Sequence, residues 1–379
     1  MLETKIVNRR AFVYTAAAAP LLGKAVPEPL PPYQVVTRFK PSAHPGMPGP
    51  YPGRAIRVHS DAAIDVRSGS INQAVVSRML SRGMQALTGD SRDADCWARF
   101  ISPKDIVGIK VNCSGAPHVM SSPELVASIV KNLAAVGVPP EHIWVYERFE
   151  GQLLSVGYNK CLPQGVHIWA AEGRRGTSLS GYDLDTYVDV DFFGEEDTRS
   201  FMTKPVADTF TKIINVPKMK EHQAAGVTGC LKNIAYGNFS NMDRSHRFTK
   251  TNTYSFIGTL AAVEPIPSRT VLNIMDGLSA VWHAGPFSEY PQFRFFPKQI
   301  VFGTDPVTMD HLLIDLIEAK RKSEGAPSLF DRSQAHLGRD NANPQFNHFI
   351  REPGHVEYAS HLGLGVYDST RIKLEAIEL

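Results

Sequence analysis

Long apolar runs are missing from this 379-residue chain. No stretch reaches the length of a membrane-spanning helix, so no integral membrane segment is expected. Cysteine is scarce: Cys96, Cys113, Cys161 and Cys230 stand far apart, and no two have Cys-x-x-Cys spacing. That excludes a zinc ribbon, a built-in iron–sulfur cluster motif and a scaffold of disulfide staples. A strong charge of either sign is also missing. The net charge is +2 and no long basic run occurs, so no nucleic-acid partner is expected. Neither the Walker order of glycines, lysine and hydroxyl nor the Rossmann glycine fingerprint is present. No internal repeat recurs at a fixed period.

What remains is an ordinary globular composition, 43% hydrophobic and 21% charged, able to bury a sizeable core. At the N-terminus, Arg9-Arg10 precede Phe12 and a mild apolar run. This segment, residues 1–25, resembles a twin-arginine export signal, although Tyr14 stands where a Lys is common and no Ala-x-Ala cleavage site is obvious. The resemblance implies the twin-arginine translocase as a partner and a periplasmic or extracytoplasmic location. A short amphipathic helix is the plainer reading. Residues 26–53 hold nine prolines and read as a polyproline-like spacer, so the folded part is expected to begin near Arg54.

From there the pattern alternates. "AIRVH" (55–59) reads as a strand, and a helix capped by Ser70 repeats Ile71, Val75, Met79 and Leu87 before Gly89. "IVGIKV" (106–111) and "IWVY" (143–146) read as buried strands around a helix with a Ser121/Glu124 capping box and Pro123 in its first turn. Such a βαβ unit makes its strands parallel. "KIINVP" (212–217), "RTVLNIMD" (269–276) and "KQIVFGT" (298–304) are further strands, the last followed by a helix from Pro306. Residues 151–210 are less regular and read as an inserted lobe or strand pair. A last short helix and a strand near 371–378 close the chain. The fold class is α/β: a mostly parallel sheet with helices on both faces, in two lobes with a cleft between them, over residues 54–378.

Ligands of open parallel sheets bind beyond the carboxyl ends of the strands. Just past the expected strands stand Asn112 and Cys113, then Glu147 and Arg148, then Lys218, Lys220 and His222, then Asp276, then Thr304 and Asp305. The densest cluster is "NVPKMKEHQAAGVTGCLKN" (215–233). His222 is the candidate acid–base residue or metal ligand, and Lys218 and Lys220 the candidate anion binders. Glu147 is a candidate second acid–base group. Asp276 and Asp305 are candidate metal ligands through oxygen. Gly226 and Gly229 permit close backbone approach, Val227–Ala235 reads as a helix start whose free N–H groups favour an anion, and Thr228, Lys232, Asn233 and Asn112 complete the expected cofactor or substrate contacts. Each has a plainer reading. Asp305 before Pro306 is a helix N-cap, Asp276 a turn residue, Lys110 a chain that snorkels or pairs with a carboxylate, Cys113 and Cys230 small core residues, and His118 and His246 surface or core residues.

"INVPKMKEHQAAGVTGCLKNIAYG" resembles the signature of a bacterial and archaeal domain-of-unknown-function family, the one numbered three hundred and sixty-two. "DIVGIKVN", "LNIMDGL", "GTDPVTMDHLLIDLI" and "LGLGVYD" fit the same family in order, over residues 55–378. Some of its members carry ferredoxin-like segments, which this sequence lacks. "HQAAGVTGCLK" (222–232) is also distantly similar to nickel-pincer lactate racemases, with Thr228 departing from their first Gly. That likeness implies an acid–base His222, with Lys218, Lys220 or Lys232 holding a metal-containing organic cofactor or the substrate. The expected ligand is thus a small anionic molecule, handled by an isomerase or oxidoreductase; capture without turnover by a periplasmic anion- or metal-binding protein is the alternative.

Overall fold

The computed structural model describes residues 30–42, 46–173, 179–246, 253–331, 343–345 and 353–379. The export-signal segment, residues 1–25, lies outside them.

Strand β1 (Arg54–His59) leads into helix α1 (Gln73–Thr88). Asn72, not Ser70, caps that helix, accepting from the N–H groups of Ala74 and Val75, and Gly89 ends it at φ 82°. Strand β2 (Val107–Lys110), helix α2 (Pro123–Ala135) and strand β3 (Ile143–Phe149) form the expected parallel βαβ unit. The Ser121/Glu124 capping box does not form. Ser121 donates to the carbonyl of Val216, and Ser122, the actual cap residue, gives its hydroxyl to Asp276. Long-range partners outbid the local cap.

The chain continues through β4 (His167–Glu172), β5 (Lys212–Asn215), β6 (Lys218–His222), β7 (Gly226–Thr228) and helix α3 (Cys230–Tyr236). Then come β8 (Thr270–Val281), β9 (Gln299–Gly303), helix α4 (Pro306–Ser323) and β10 (Lys373–Glu378). These strands belong to one sheet of 11 strands, with the order β10-β1-β9-β8-β5-β2-β3-β4 along its main path. Along that path only β9 runs antiparallel to its neighbours β8 and β1. Pro217 lacks the N–H that would continue the ladder, so β5 pairs with the start of β8 and β6 with its second half. β7 then folds back antiparallel on β6.

Successive strand residues face opposite sides of the sheet. Val107 and Ile109 join a core with α1 and α2, whereas Ile213, Met275 and Val301 join a second core with α3 and α4. Helices therefore cover both faces, and Lys110, next to Ile109, is directed to the α3 side.

The inserted segment supplies strands Tyr182–Asp189 and Arg199–Thr203 of a separate three-stranded antiparallel sheet. Its third strand, Gln34–Val36, comes from the proline-rich stretch expected to be a spacer. Tyr33, Val35 and Met47 are buried, so the folded part begins well before Arg54. Prolines flank this strand without interrupting it, and its partner lies about 150 residues away, which no local pattern reveals. Among the described residues no helix is long and apolar enough to cross a membrane. The four cysteines are unbonded.

Candidate functional site

A cavity of about 490 Å³ opens beyond the carboxyl ends of β2, β3 and β6. Its polar walls come from Lys110, Asn112, Glu147, Arg148, His222, Thr228, Lys232, Asn233, Asp243 and His246. Tyr236, Phe149, Pro286 and Phe287 supply apolar wall.

β2 delivers Lys110. Its Nζ donates to Glu147 Oε1 at 2.8 Å and to the Val111 carbonyl at 2.6 Å. Gly237 makes room for this chain: a Cβ there would fall 1.9 Å from Lys110 Cε. Glu147 Oε1 also accepts from the Arg148 N–H at 2.7 Å, and Oε2 from the Cys113 N–H at 3.3 Å. Glu147 therefore reaches the cavity as the counter-ion of Lys110, not as a free acid–base group. Arg148 is 6% exposed and donates from Nε to Glu172 Oε1 at 2.7 Å.

β6 delivers Lys220 and His222. Lys220 Nζ donates to Asn112 Oδ1 at 2.7 Å and to Ser114 Oγ at 3.1 Å. A one-way chain of amides starts there. Asn112 donates to Asn233 at 3.3 Å, Asn233 to Asn215 at 2.8 Å, Asn215 to Asn273 at 2.9 Å, and Asn273 to the Thr304 carbonyl at 3.3 Å. Each link polarises the next and fixes the orientation of Asn112 and hence of Lys220. Asn215 ends β5 and Asn273 lies within β8, so their mutual hydrogen bond joins two strands 58 residues apart and has no local sequence signal.

His222 is 4% exposed. Its Nδ1 accepts the N–H of Ala224 at 3.0 Å, so the neutral ring carries its proton on Nε2. Burial, with Lys232 and His246 nearby, holds the imidazole well below its ordinary pKa. A ring in that state offers a hydrogen-bond donor at Nε2. It offers no lone pair there for a metal or for base catalysis. The ring of His246, expected at the surface or in the core, lies with its centroid 5.3 Å from that of His222, and burial lowers it to about 3.

Lys220 and Lys232 are both lowered to about 7. Burial is the main cause in each, followed by a neighbouring cation: Lys218 for Lys220 and Arg148 for Lys232. Lys232 Nζ lies 4.4 Å from the centroid of the Tyr236 ring.

Several expected residues lie elsewhere. Lys218 Nζ is paired with Asp276 Oδ1 at 2.6 Å, and both are sealed from solvent. Asp276 also accepts from the N–H and hydroxyl of Ser122 and from the Leu278 N–H. Its oxygens are spent, so it is no metal ligand, and Lys218 is no anion binder. Asp305 accepts from the N–H groups of Thr308, Gly53 and Val366, each at 2.9 Å. It follows β9, the antiparallel strand, and so lies at the opposite edge of the sheet from the cavity. Among the described residues no three His, Cys, Asp or Glu side chains are grouped to hold a metal ion.

The start of α3 is not a free anion site either. Asp310, from α4, accepts from the N–H groups of Cys230 at 2.5 Å and Leu231 at 2.9 Å. Gly229 permits this approach, since a Cβ would fall 2.0 Å from Asp310 Oδ1. Gly226, at φ +73°, abuts Pro353. Both glycines serve packing, and Asp310 was hidden because "TMDHLL" reads as an ordinary helix face.

Residues 107–315 match the family described as a domain of unknown function, DUF362. The chain belongs to the DUF362 family. The match is narrower than the expected span of 55–378, yet every residue that lines the cavity falls inside it. Nothing among the curated proteins matches the DUF362 chain, and the likeness to nickel-pincer lactate racemases gains no support. In the DUF362 domain, then, β2, β3, β6 and α3 converge on one cavity lined by the Lys232 amine, a donor imidazole and a nearly buried guanidinium, with Lys220 bound to Asn112 and Ser114 of its wall.

Proposed function

We propose that the cavity binds a small anionic molecule and catalyses proton transfer on it. The observation that carries this reading is the Lys232 amine on the cavity wall, which has no hydrogen-bond or ion-pair partner among the described residues, with Lys220 bound to the wall residues Asn112 and Ser114; burial lowers both amines to about 7. A site that strips water from its cations and does not supply enough negative charge disfavours their charged forms. An anionic ligand supplies the missing charge. In the free site Lys232 is a proton acceptor at neutral pH, while His222 Nε2–H is a fixed neutral donor for an oxygen that gains charge. Arg148 anchors a carboxylate. Proton exchange, racemisation or epimerisation beside a carboxylate is the reaction class this set fits best.

The direct test is proton–deuterium exchange in D₂O, followed by NMR, across a panel of small hydroxy and oxo acids. Exchange catalysed by the protein and abolished in Lys232→Ala supports the reading. Binding of these acids with no exchange of any of them would show capture without turnover and defeat it. Export belongs to the same proposal and rests on Arg9-Arg10. Cell fractionation should find the protein outside the cytoplasm, and Arg9→Lys with Arg10→Lys should retain it; equal distribution of the two forms refutes export.

A further inference from the structure

We propose that Lys232 forms an imine with its ligand, and that the ligand is therefore a 2-oxo acid. This rests on the small-anion reading above and adds the substrate class to it.

The cavity has three lysine amines on or behind its wall, and two are committed. Lys110 is held by Glu147 and the Val111 carbonyl, and Lys220 by Asn112 and Ser114. Lys232 Nζ has no hydrogen-bond or ion-pair partner among the described residues. Around it stand the Tyr236 face at 4.4 Å and His222, His246 and His355, close enough to feel its charge, while the charges of Arg148 and Lys110 oppose those of Asp243 and Glu147. His355 is fully buried, and neither of its ring nitrogens has a hydrogen-bond partner among the described residues. An ammonium gains little from neutral imidazoles that cannot charge, whereas a neutral amine loses little. Its position near 7 agrees with this.

Imine formation needs a neutral amine, whose own two protons leave with the oxygen as water, a hydrogen-bond donor to the carbonyl oxygen, an anchor for the rest of the molecule and apolar wall. Lys232, His222 Nε2–H, Arg148 and the Tyr236, Phe149 and Phe287 walls meet these needs in one cavity. In the step itself the Nζ lone pair adds to the C2 carbonyl carbon, and the carbonyl π pair moves to oxygen, which takes a proton. The carbinolamine then loses that oxygen as water after a second protonation, nitrogen gives up its protons, and C=N replaces C=O. One amine and one ketone yield one imine and one water, with no oxidant or reductant. The protonated imine withdraws electrons from the neighbouring carbon, which makes proton removal there feasible.

The test treats the full-length protein with glyoxylate, pyruvate or 2-oxoglutarate and sodium borohydride, then measures intact mass and maps the modified peptide. The expected result is a reduced adduct on Lys232, absent without the oxo acid and absent in Lys232→Arg. Thermal-shift titration with the same acids and with lactate runs alongside, without borohydride. Stabilisation by oxo acids with no adduct overturns the imine and leaves the small-anion reading standing. An adduct that maps to another lysine in the native chain also overturns it, whether or not the variant folds. Failure of every small carboxylate to shift melting defeats the underlying reading as well.

Discussion

The N–H of Ala224 donates to Nδ1 of His222 at 3.0 Å, two residues along the turn that leaves β6. This single bond decides which nitrogen of the ring faces a ligand with a proton on it. His222→Ala should lower catalysed proton exchange by about 10²-fold or more, the usual worth of a positioned donor. The wild-type rate profile should show no imidazole limb near the ordinary histidine range, because burial keeps the ring neutral. Rate-versus-pH measurements on the wild type check this; a limb that disappears in His222→Ala would contradict the neutral-donor role.

Lys218 and Asp276 are a buried pair away from the cavity. Asp276→Ala strands a buried ammonium and should cost about 3–5 kcal/mol in urea unfolding. Lys218→Met with Asp276→Leu should recover most of that loss. A cost below about 1 kcal/mol for the single variant, on the scale of an exposed pair, would refute the structural assignment.

Anion binding should draw protons onto the enzyme. Lys220 and Lys232 near 7 are partly neutral at pH 8, and a bound carboxylate raises them. Calorimetric enthalpies of binding at pH 8 should therefore change with the ionisation enthalpy of the buffer, in the direction of proton uptake. Buffer-independent enthalpies would refute the charge argument.

The same groups shape stability in the free protein. A lysine lowered from 10.5 to about 7 binds fewer protons folded than unfolded between those values, so stability rises with pH through that window. Asp310, raised from 3.8 to about 7, and Glu221, raised from 4.5 to about 7, bind more protons folded, so stability falls as pH rises toward 7. Together they produce a dip near pH 7. Lys232→Met should flatten the alkaline side and Asp310→Asn the acid side in melting curves taken from pH 4 to 10. Unchanged slopes in both would show that these groups titrate normally.

Gly237→Ala pushes a methyl into Lys110 Cε and should cost about 1–3 kcal/mol of stability. It should also weaken anion binding, because Lys110 and its partner Glu147 line the cavity. Gly325→Ala, at φ +69° but with open space around its Cβ, is the control for backbone cost alone and should leave binding intact. Equal binding by both variants would separate Lys110 from ligand recognition.

Much of the fold was legible in order and type. Apolar runs at 106–111, 143–146, 212–217 and 298–304 announced the strands found at 107–110, 143–149, 212–215 and 299–303, and Gly89 and Asp305 announced helix boundaries. These signals are local: period, cap and turn chemistry act within a few residues, so the sequence by itself determined them. It also determined that cations and a histidine follow β5 and that no cysteine motif competes with them. Tertiary structure alone decided which of those groups share a cavity. The reversal of β9 sent Asp305 to the far edge, Asp276 captured Lys218, and Asp310 took the N-terminus of α3. The same packing left Lys232 beside Tyr236 with no hydrogen-bond or ion-pair partner among the described residues. Such outcomes depend on pairings between residues tens to hundreds of positions apart, and on how much water each group loses when buried. Local sequence encodes neither quantity.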